Sequence, residues 1–408
     1  MKKFLGKNKG GILIVFAVVV IILTIFVSGK ESNHITVHNY TGYIADSNIL
    51  YRMDEMYQED YAGYLANRFK QLNKRGVFNG TVLYGENGQV VYKGAFGYAD
   101  FRKKDTLNTQ SAFQLASVSK MFTAAAIMIL KTEGKLDYDD TITKFIPEFP
   151  YGTVTIRNLL THRSGLSRYM SLADKHWDIN KPINNEDVID LFVKYKPDPY
   201  FKPDDGFHYC NTNYALLASV VERITGLHFD EFVKLKIFEP LGMDSSFVYN
   251  LRGDSVISYA VPVGVSGYRY RGWKPVKVGD YYLNGVMGDK GVYSTVEDLF
   301  KFSCALDNGT LIPLPELEAA FKPGSPSYYR RKDNYGFGWR IKEDMDSTVY
   351  HFGWWKGFRT YFVRDMQNQR TLIILTNTHK GASSSVYWDI IKDEDRPDKV
   401  YNLYQSIN

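Results

Sequence analysis

Apolar, β-branched segments lie near both ends of this chain, and the need to bury them together constrains the fold more than any other feature. Thr81-Val82-Leu83-Tyr84 and Val90-Val91-Tyr92 flank Glu86-Asn87-Gly88, which is the turn chemistry of a β-hairpin. Far downstream, Thr360–Val363 and Thr371–Leu375 flank Asp365-Met366-Gln367-Asn368, a second hairpin. An isolated hairpin is marginal in water, so both are expected in one antiparallel sheet assembled from distant parts of the chain. Between them the pattern turns helical. Ser117–Thr132 is rich in Ala, Met, Ile and Leu and stops at Gly134; Tyr214–Ile224 ends at Thr225-Gly226. The expected fold class is α/β, in the α+β sense: an antiparallel sheet flanked by helices, with an inserted mainly helical lobe. A cleft between sheet and lobe is the natural place for chemistry.

The N-terminus carries a different signal. Lys2, Lys3, Lys7 and Lys9 precede a stretch from Gly10 to Gly29 that holds no charge; as a helix it would reach about 30 Å, the thickness of a bilayer core. Lysines ahead of such a run favour a cytoplasmic N-terminus. Residues 1–30 therefore read as a transmembrane signal anchor, with the rest of the chain extracytoplasmic. A cleaved signal peptide ending at Val27-Ser28-Gly29 is the alternative. Residues 31–69 read as a tether and a leading helix, the helix lying around Asp60–Leu72. The main globular domain is expected over 70–378, and a C-terminal helix or tail over 379–408.

Composition excludes several classes. The net charge of +5 is spread over 408 residues rather than gathered into a basic stripe, so no nucleic-acid partner is expected. Cys210 and Cys304 have no metal-ligand spacing, and the eight histidines include no H-E-x-x-H pair. No metal and no cofactor is expected, and no pattern sets an oligomeric state.

Three short elements carry chemistry. In Ser117-Val118-Ser119-Lys120 the serine and the lysine fall on one helical face. A serine hydroxyl needs a base and an oxyanion site, and Ser117 would also lie near the positive end of the helix dipole. Tyr209-Cys210-Asn211 precedes the next helix. Its phenol can relay a proton, and its amide can touch both Lys120 and a substrate carbonyl. Tyr282-Leu283-Asn284 matches the same pattern but lies in a stretch that reads as a surface hairpin. In His351-Phe352-Gly353-Trp354 the glycine permits close approach of the backbone, so the Trp354 N–H can join the Ser117 N–H in an oxyanion site. His379-Lys380-Gly381 matches it loosely, after the last apolar strand. Cys210 reads as a small packed residue. Tyr268–Lys274 reads as either a groove wall or an exposed hairpin.

Taken in this order, the elements resemble the serine β-lactamase and penicillin-binding-protein superfamily, and within it the class C β-lactamase and DD-peptidase-like branch, where Tyr-x-Asn takes the place of Ser-Asp-Asn. Asn158–Leu166, Pro240–Met243, Gly291–Thr295 and Tyr335–Trp339 are similar to further markers of that group. The resemblance implies a β-lactamase/transpeptidase-like fold and an acyl-enzyme on Ser117. Lys120 and Tyr209 would be its proton carriers, with Asn211, His351, Gly353 and Trp354 holding the substrate. His351 stands where many relatives carry Lys, contributing a donor and some positive charge. Phe352 stands where they often carry a hydroxyl that helps hold a substrate carboxylate. The substrate implied is a small molecule or a peptidoglycan-derived D-alanyl peptide or ester. A β-lactamase and a catalytically silent binding module are the alternatives.

Overall fold

The structure is a computed structural model and describes residues 47–251, 264–326, 333–345, 347–380 and 384–392, with side chains from residue 59 onward. The expected anchor at 1–30, most of the tether and the last part of the tail lie outside the described residues. Among the described residues no helix is long and apolar enough to cross a membrane. From Tyr57 onward the chain forms one unit.

Its frame is a seven-stranded antiparallel sheet built from β1 (Gly80–Glu86), β2 (Gln89–Phe96), β3 (Asp333–Tyr335), β4 (Arg340–Lys342), β5 (Thr348–Trp355), β6 (Phe358–Asp365) and β7 (Arg370–Thr376). The spatial order is β3-β4-β5-β6-β7-β1-β2. The two predicted hairpins meet directly: β1 pairs with β7 from Gly80 opposite Thr376 to Glu86 opposite Arg370. The reason is alternation. Every second residue of a strand faces the same side, and both strands are apolar on both sides, so each must lie in the middle of a sheet covered twice.

One face is covered by the part of the leading helix, α1 (Ser47–Lys74), that follows Tyr57, and by the C-terminal helix, α5 (Ser384–Lys392). Tyr61, Leu65 and Phe69 pack there with Val82, Tyr84, Leu372, Ile374 and Ile391. The predicted leading helix is thus longer than Asp60–Leu72 and extends to both sides of it. The opposite face meets α4 (Val296–Asp307) and the helical lobe, through Leu83, Phe362, Ile373 and Leu375. The lobe contains α2 (Lys120–Thr132) and α3 (Asn211–Thr225). Gly226, with φ of 72°, supplies the left-handed stop expected after α3.

The sequence reading differs from the structure at two local points. Ser117 does not begin the α-helix: Ala116–Ser119 form a 3₁₀ turn and the α-helix starts at Lys120. Tyr282 is not on a surface hairpin. It is buried in a 3₁₀ turn, Tyr282–Gly285, with its hydroxyl on Asp174. The Tyr268–Lys274 stretch is the exposed hairpin rather than a groove wall: Tyr268–Arg271 pairs with Lys274–Lys277, and Trp273 at its tip is fully in solvent.

Candidate active site

The 3₁₀ turn explains why a serine and a lysine three residues apart meet. In that helix side chains at i and i+3 eclipse one another. Lys120 Nζ lies 3.2 Å from Ser117 Oγ. Its other partners are Asn211 Oδ1 at 2.9 Å and the main-chain carbonyl of Asp289 at 2.7 Å. Lys120 has no solvent exposure. The turn is entered through Ala116, whose φ of +51° is unusual for a residue with a Cβ. Such strain persists only where the surroundings impose it. Here Leu115 is held from both sides: its N–H donates to Val292 O at 2.8 Å, and its carbonyl accepts from Thr360 Oγ1 at 2.7 Å.

β5 runs along this turn. β4 pairs with it at Val349 and Tyr350, and among the described residues that pairing does not extend to His351–Trp355. A Cβ on Gly353 would collide with the Leu115 carbonyl and crowd Ala116. Glycine is therefore required for the strand to lie against the serine turn. The main chain of Gly353 is brought against Leu115 and Ala116, just ahead of Ser117, the approach that an oxyanion site from the Ser117 and Trp354 N–H groups would need. The Trp354 ring itself points to solvent.

Tyr209 enters the cluster by its ring. Lys120 Nζ is 5.1 Å from the ring centroid, a cation–π separation, and Arg340 lies 5.2 Å from it. The Tyr209 hydroxyl is buried and has no hydrogen-bond partner among the described residues. The expected convergence of serine, amine and phenol within hydrogen-bonding reach is met by Ser117 and Lys120; Tyr209 instead approaches the amine by its ring, and its hydroxyl bonds to neither among the described residues. Asn211 opens α3 and reaches Lys120 as expected. Cys210 is buried, its thiol directed at Leu166 O, and burial pushes its pKa up.

His351 departs from its expected role. It is buried and uses both ring nitrogens: Nδ1 donates to Phe352 O at 2.8 Å and Nε2 accepts from Tyr335 Oη at 3.0 Å. Burial first, then the charges of Arg340 and Lys120, hold its pKa well below the ordinary histidine value. It brings neither positive charge nor a free donor. The cation at this corner is Arg340, the residue after the Tyr335–Trp339 marker, with its guanidinium 4.6 Å from the Phe352 ring.

Sequence reasoning also missed His162, inside the Asn158–Leu166 marker. Its φ is +58° and it is fully buried. Nδ1 accepts from the Cys210 N–H and faces the Asn213 amide, each at 3.2 Å. Its ring centroid lies 4.4 Å from that of Tyr209, so it fixes the tyrosine from behind. Burial, ahead of the Lys120 charge, lowers its pKa well below the usual value. Of the two patterns set aside, Asn284 is occupied by Trp355 Nε1 at 2.9 Å and His379 by the Tyr270 N–H at 3.1 Å.

Residues 65–394 match the family model described as Beta-lactamase. A penicillin-binding protein of Bacillus subtilis (strain 168) is 38% identical over 327 residues, which are 78% of this chain and 72% of that protein. A D-aminopeptidase of Cereibacter sphaeroides (strain ATCC 17029 / ATH 2.4.9) is 26% identical; the match covers 73% of this chain and 57% of that protein. The crystal structure of a penicillin-binding protein from Bacillus halodurans shares the fold, with a TM-score of 0.69 and 24% identity over 80% of this chain and 98% of that one. The Ser117–Lys120 site and these likenesses agree: the chain belongs to the β-lactamase family, among the serine hydrolases related to penicillin-binding proteins and D-aminopeptidases.

Proposed function

We propose that the protein is an extracytoplasmic hydrolase that works through an acyl-enzyme on Ser117 and acts on cell-wall-related D-alanyl peptides or esters. The observation that carries the chemistry is the set of partners of Lys120 Nζ. A neutral amine has two N–H bonds and one lone pair. In its neutral form Lys120 can give its two N–H groups to the acceptors Asn211 Oδ1 and Asp289 O and keep its lone pair for Ser117 Oγ, which lies 3.2 Å away. That is the arrangement of a general base.

In the first half-reaction Ser117 Oγ bonds to the substrate carbonyl carbon, and its proton passes to Lys120. The oxyanion forms beside the Ser117 and Trp354 N–H groups. The bond to the leaving amine or alcohol then breaks, and the proton reaches that group by way of Tyr209. In the second half-reaction water attacks the acyl carbon, and Ser117 regains its proton. Asn211 can hold the substrate amide through its side-chain N–H₂. Arg340 is the cation placed to meet a terminal carboxylate, so the D-alanyl end of a peptide fits this corner.

The extracytoplasmic location is supported by the lysine-flanked apolar run at residues 10–29. The β-lactamase reading is disfavoured by Phe352, which puts a ring where relatives place a carboxylate-binding hydroxyl. A silent binding module is disfavoured by the intact Ser117–Lys120 hydrogen bond.

Intact-mass measurement after incubation with D-alanyl peptides, D-alanyl esters and β-lactams tests the assignment. The expected result is an adduct and turnover with a D-alanyl substrate, absent in Ser117→Ala. Turnover of the β-lactams alone would support the β-lactamase, and no adduct with any compound the silent module. For location, protease added outside intact cells should digest the catalytic domain; full protection would overturn that part.

A further inference from the structure

A second buried charged group stands directly behind Lys120. Lys290 Nζ donates to Tyr169 Oη at 2.9 Å and to Val286 O and Asp289 Oδ1, each at 3.2 Å. The Tyr169 hydroxyl donates to Asp289 Oδ2 at 3.0 Å. Exposure is 0% for Tyr169, 1% for Asp289 and 3% for Lys290. Desolvating an ion pair this completely costs about as much as the pair returns, so stability alone is a weak reason for it. The group touches the active site at one place, the main-chain carbonyl of Asp289, which accepts from Lys120 Nζ at 2.7 Å. The preceding carbonyl, of Gly288, accepts from Thr123 Oγ1 at 2.7 Å, which ties the same segment to α2 just past Lys120.

We propose that Tyr169, Asp289 and Lys290 are positioning residues for Ser117 acylation: they fix the Asp289 carbonyl, and through it the direction of the Lys120 lone pair, and they keep an ion pair beside the amine. The inference rests on the acyl-enzyme reading of the same site. Without the anchored carbonyl, the amine loses one of its two N–H acceptors and can turn its lone pair away from Ser117 Oγ. The pair also sets the local field. Lys120 faces Ser117 on its own turn, Tyr209, Asn211 and Tyr214 from α3 and its approach, and His162 from the loop behind them. Arg340 and His351 face it from β4 and β5, and Asp289 and Lys290 from the segment before α4. His162 and His351 are held neutral. The charges nearest Lys120 on the α4 side are those of Asp289 and Lys290. Burial outweighs the Asp289 carboxylate and lowers the Lys290 pKa, and Lys120 lowers it further.

Removing one member of the pair leaves the other facing the amine. A lone carboxylate favours the protonated amine, and a lone ammonium disfavours it. The test is the rate at which a fluorophosphonate labels Ser117 in the full chain as a function of pH, a reaction that needs an activated serine but no particular natural substrate. Lys290→Met is expected to move the acid limb of this rate to higher pH, and Asp289→Asn to lower pH, each by about one unit. Lys290→Arg keeps the wild-type limb. Both single variants keeping the wild-type limb would overturn the proposal. If the single variants fail to fold, the charge-free double variant Asp289→Asn with Lys290→Met carries the test: labelling slowed about tenfold at an unchanged melting temperature supports positioning. Wild-type rate and limb in the double variant would leave the group purely structural. No labelling of the wild type would instead defeat the acyl-enzyme reading itself, and this inference with it.

Discussion

On the face of the sheet under α1 and α5, apolar and tyrosine side chains close a core: Leu65, Phe69, Val82, Leu372, Ile374 and Ile391 are buried together. On the other face an equally dry interior contains Lys120, Lys290, Asp289, His162 and His351. The same strands serve both, since Leu372 and Ile374 look one way and Ile373 and Leu375 the other. The first face contributes stability in the ordinary way, about 1.5–3 kcal/mol for each large side chain removed from water. The second carries buried charges and positive-φ residues that cost stability. Such costs collect where a fold is doing chemistry, and the contrast separates residues that hold the protein together from residues that make it react.

That separation can be broken by experiment. The largest effect is expected from Lys120→Met: labelling of Ser117 by a fluorophosphonate should fall about 10³-fold. The melting temperature should hold or rise, because an apolar side chain replaces a buried amine. A variant that unfolds instead would make Lys120 a structural residue. On the other face Leu65→Ala should cost about 3 kcal/mol in a denaturant titration and leave the labelling rate of the folded protein unchanged; a matching loss of rate would show that the two faces are coupled. Gly353→Ala drives a Cβ into the Leu115 carbonyl, so labelling should slow about 10²-fold, with a smaller loss of stability than in Leu65→Ala.

The last test uses acid. His162 and His351 are held neutral in the fold by burial, their pKa values well below the ordinary one. On unfolding, each returns to about 6.5 and takes up a proton below that pH. The unfolded state then binds more protons than the native one, so stability falls as pH drops below about 6.5. The slope is up to about 1.4 kcal/mol per pH unit for each histidine, and it disappears above that range. Thermal melts from about pH 8 to about pH 5 should show this slope, and His351→Gln should make it shallower. An unchanged slope in the variant would assign the acid sensitivity elsewhere.

What could be read from the sequence is what local chemistry encodes. The Glu86-Asn87-Gly88 turn, the alternation in β1 and β7, the glycine stops after α2 and α3, and the spacing of Ser117 with Lys120 depend on neighbours within a few residues. Tyr209, Asn211 and Gly353 were legible because each occurs in a short patterned element. The pairing of β1 with β7 followed from the need to bury two apolar strands, but the places of β3 and β4 did not, since each is three residues long and carries no periodicity. Arg340, His162 and the Asp289–Lys290–Tyr169 group escaped because a polar side chain that packs against distant neighbours has no local signature; Lys290 and its partner Tyr169 are 121 residues apart. The inward turn of His351 was hidden for the same reason, as the Tyr335 hydroxyl that fixes it comes from another strand. Arg340 and His162 did have a signal, in that each falls within or beside a segment already recognised as a family marker.

The central claim is that Lys120 takes the proton from Ser117. Peptide mapping of the fluorophosphonate adduct, in the wild type and in folded Lys120→Met at one pH, measures it directly. The account predicts a single modified residue, Ser117, in the wild type and almost none in the variant over the same time. An adduct on another residue, or equal modification of Ser117 without the amine, would contradict it.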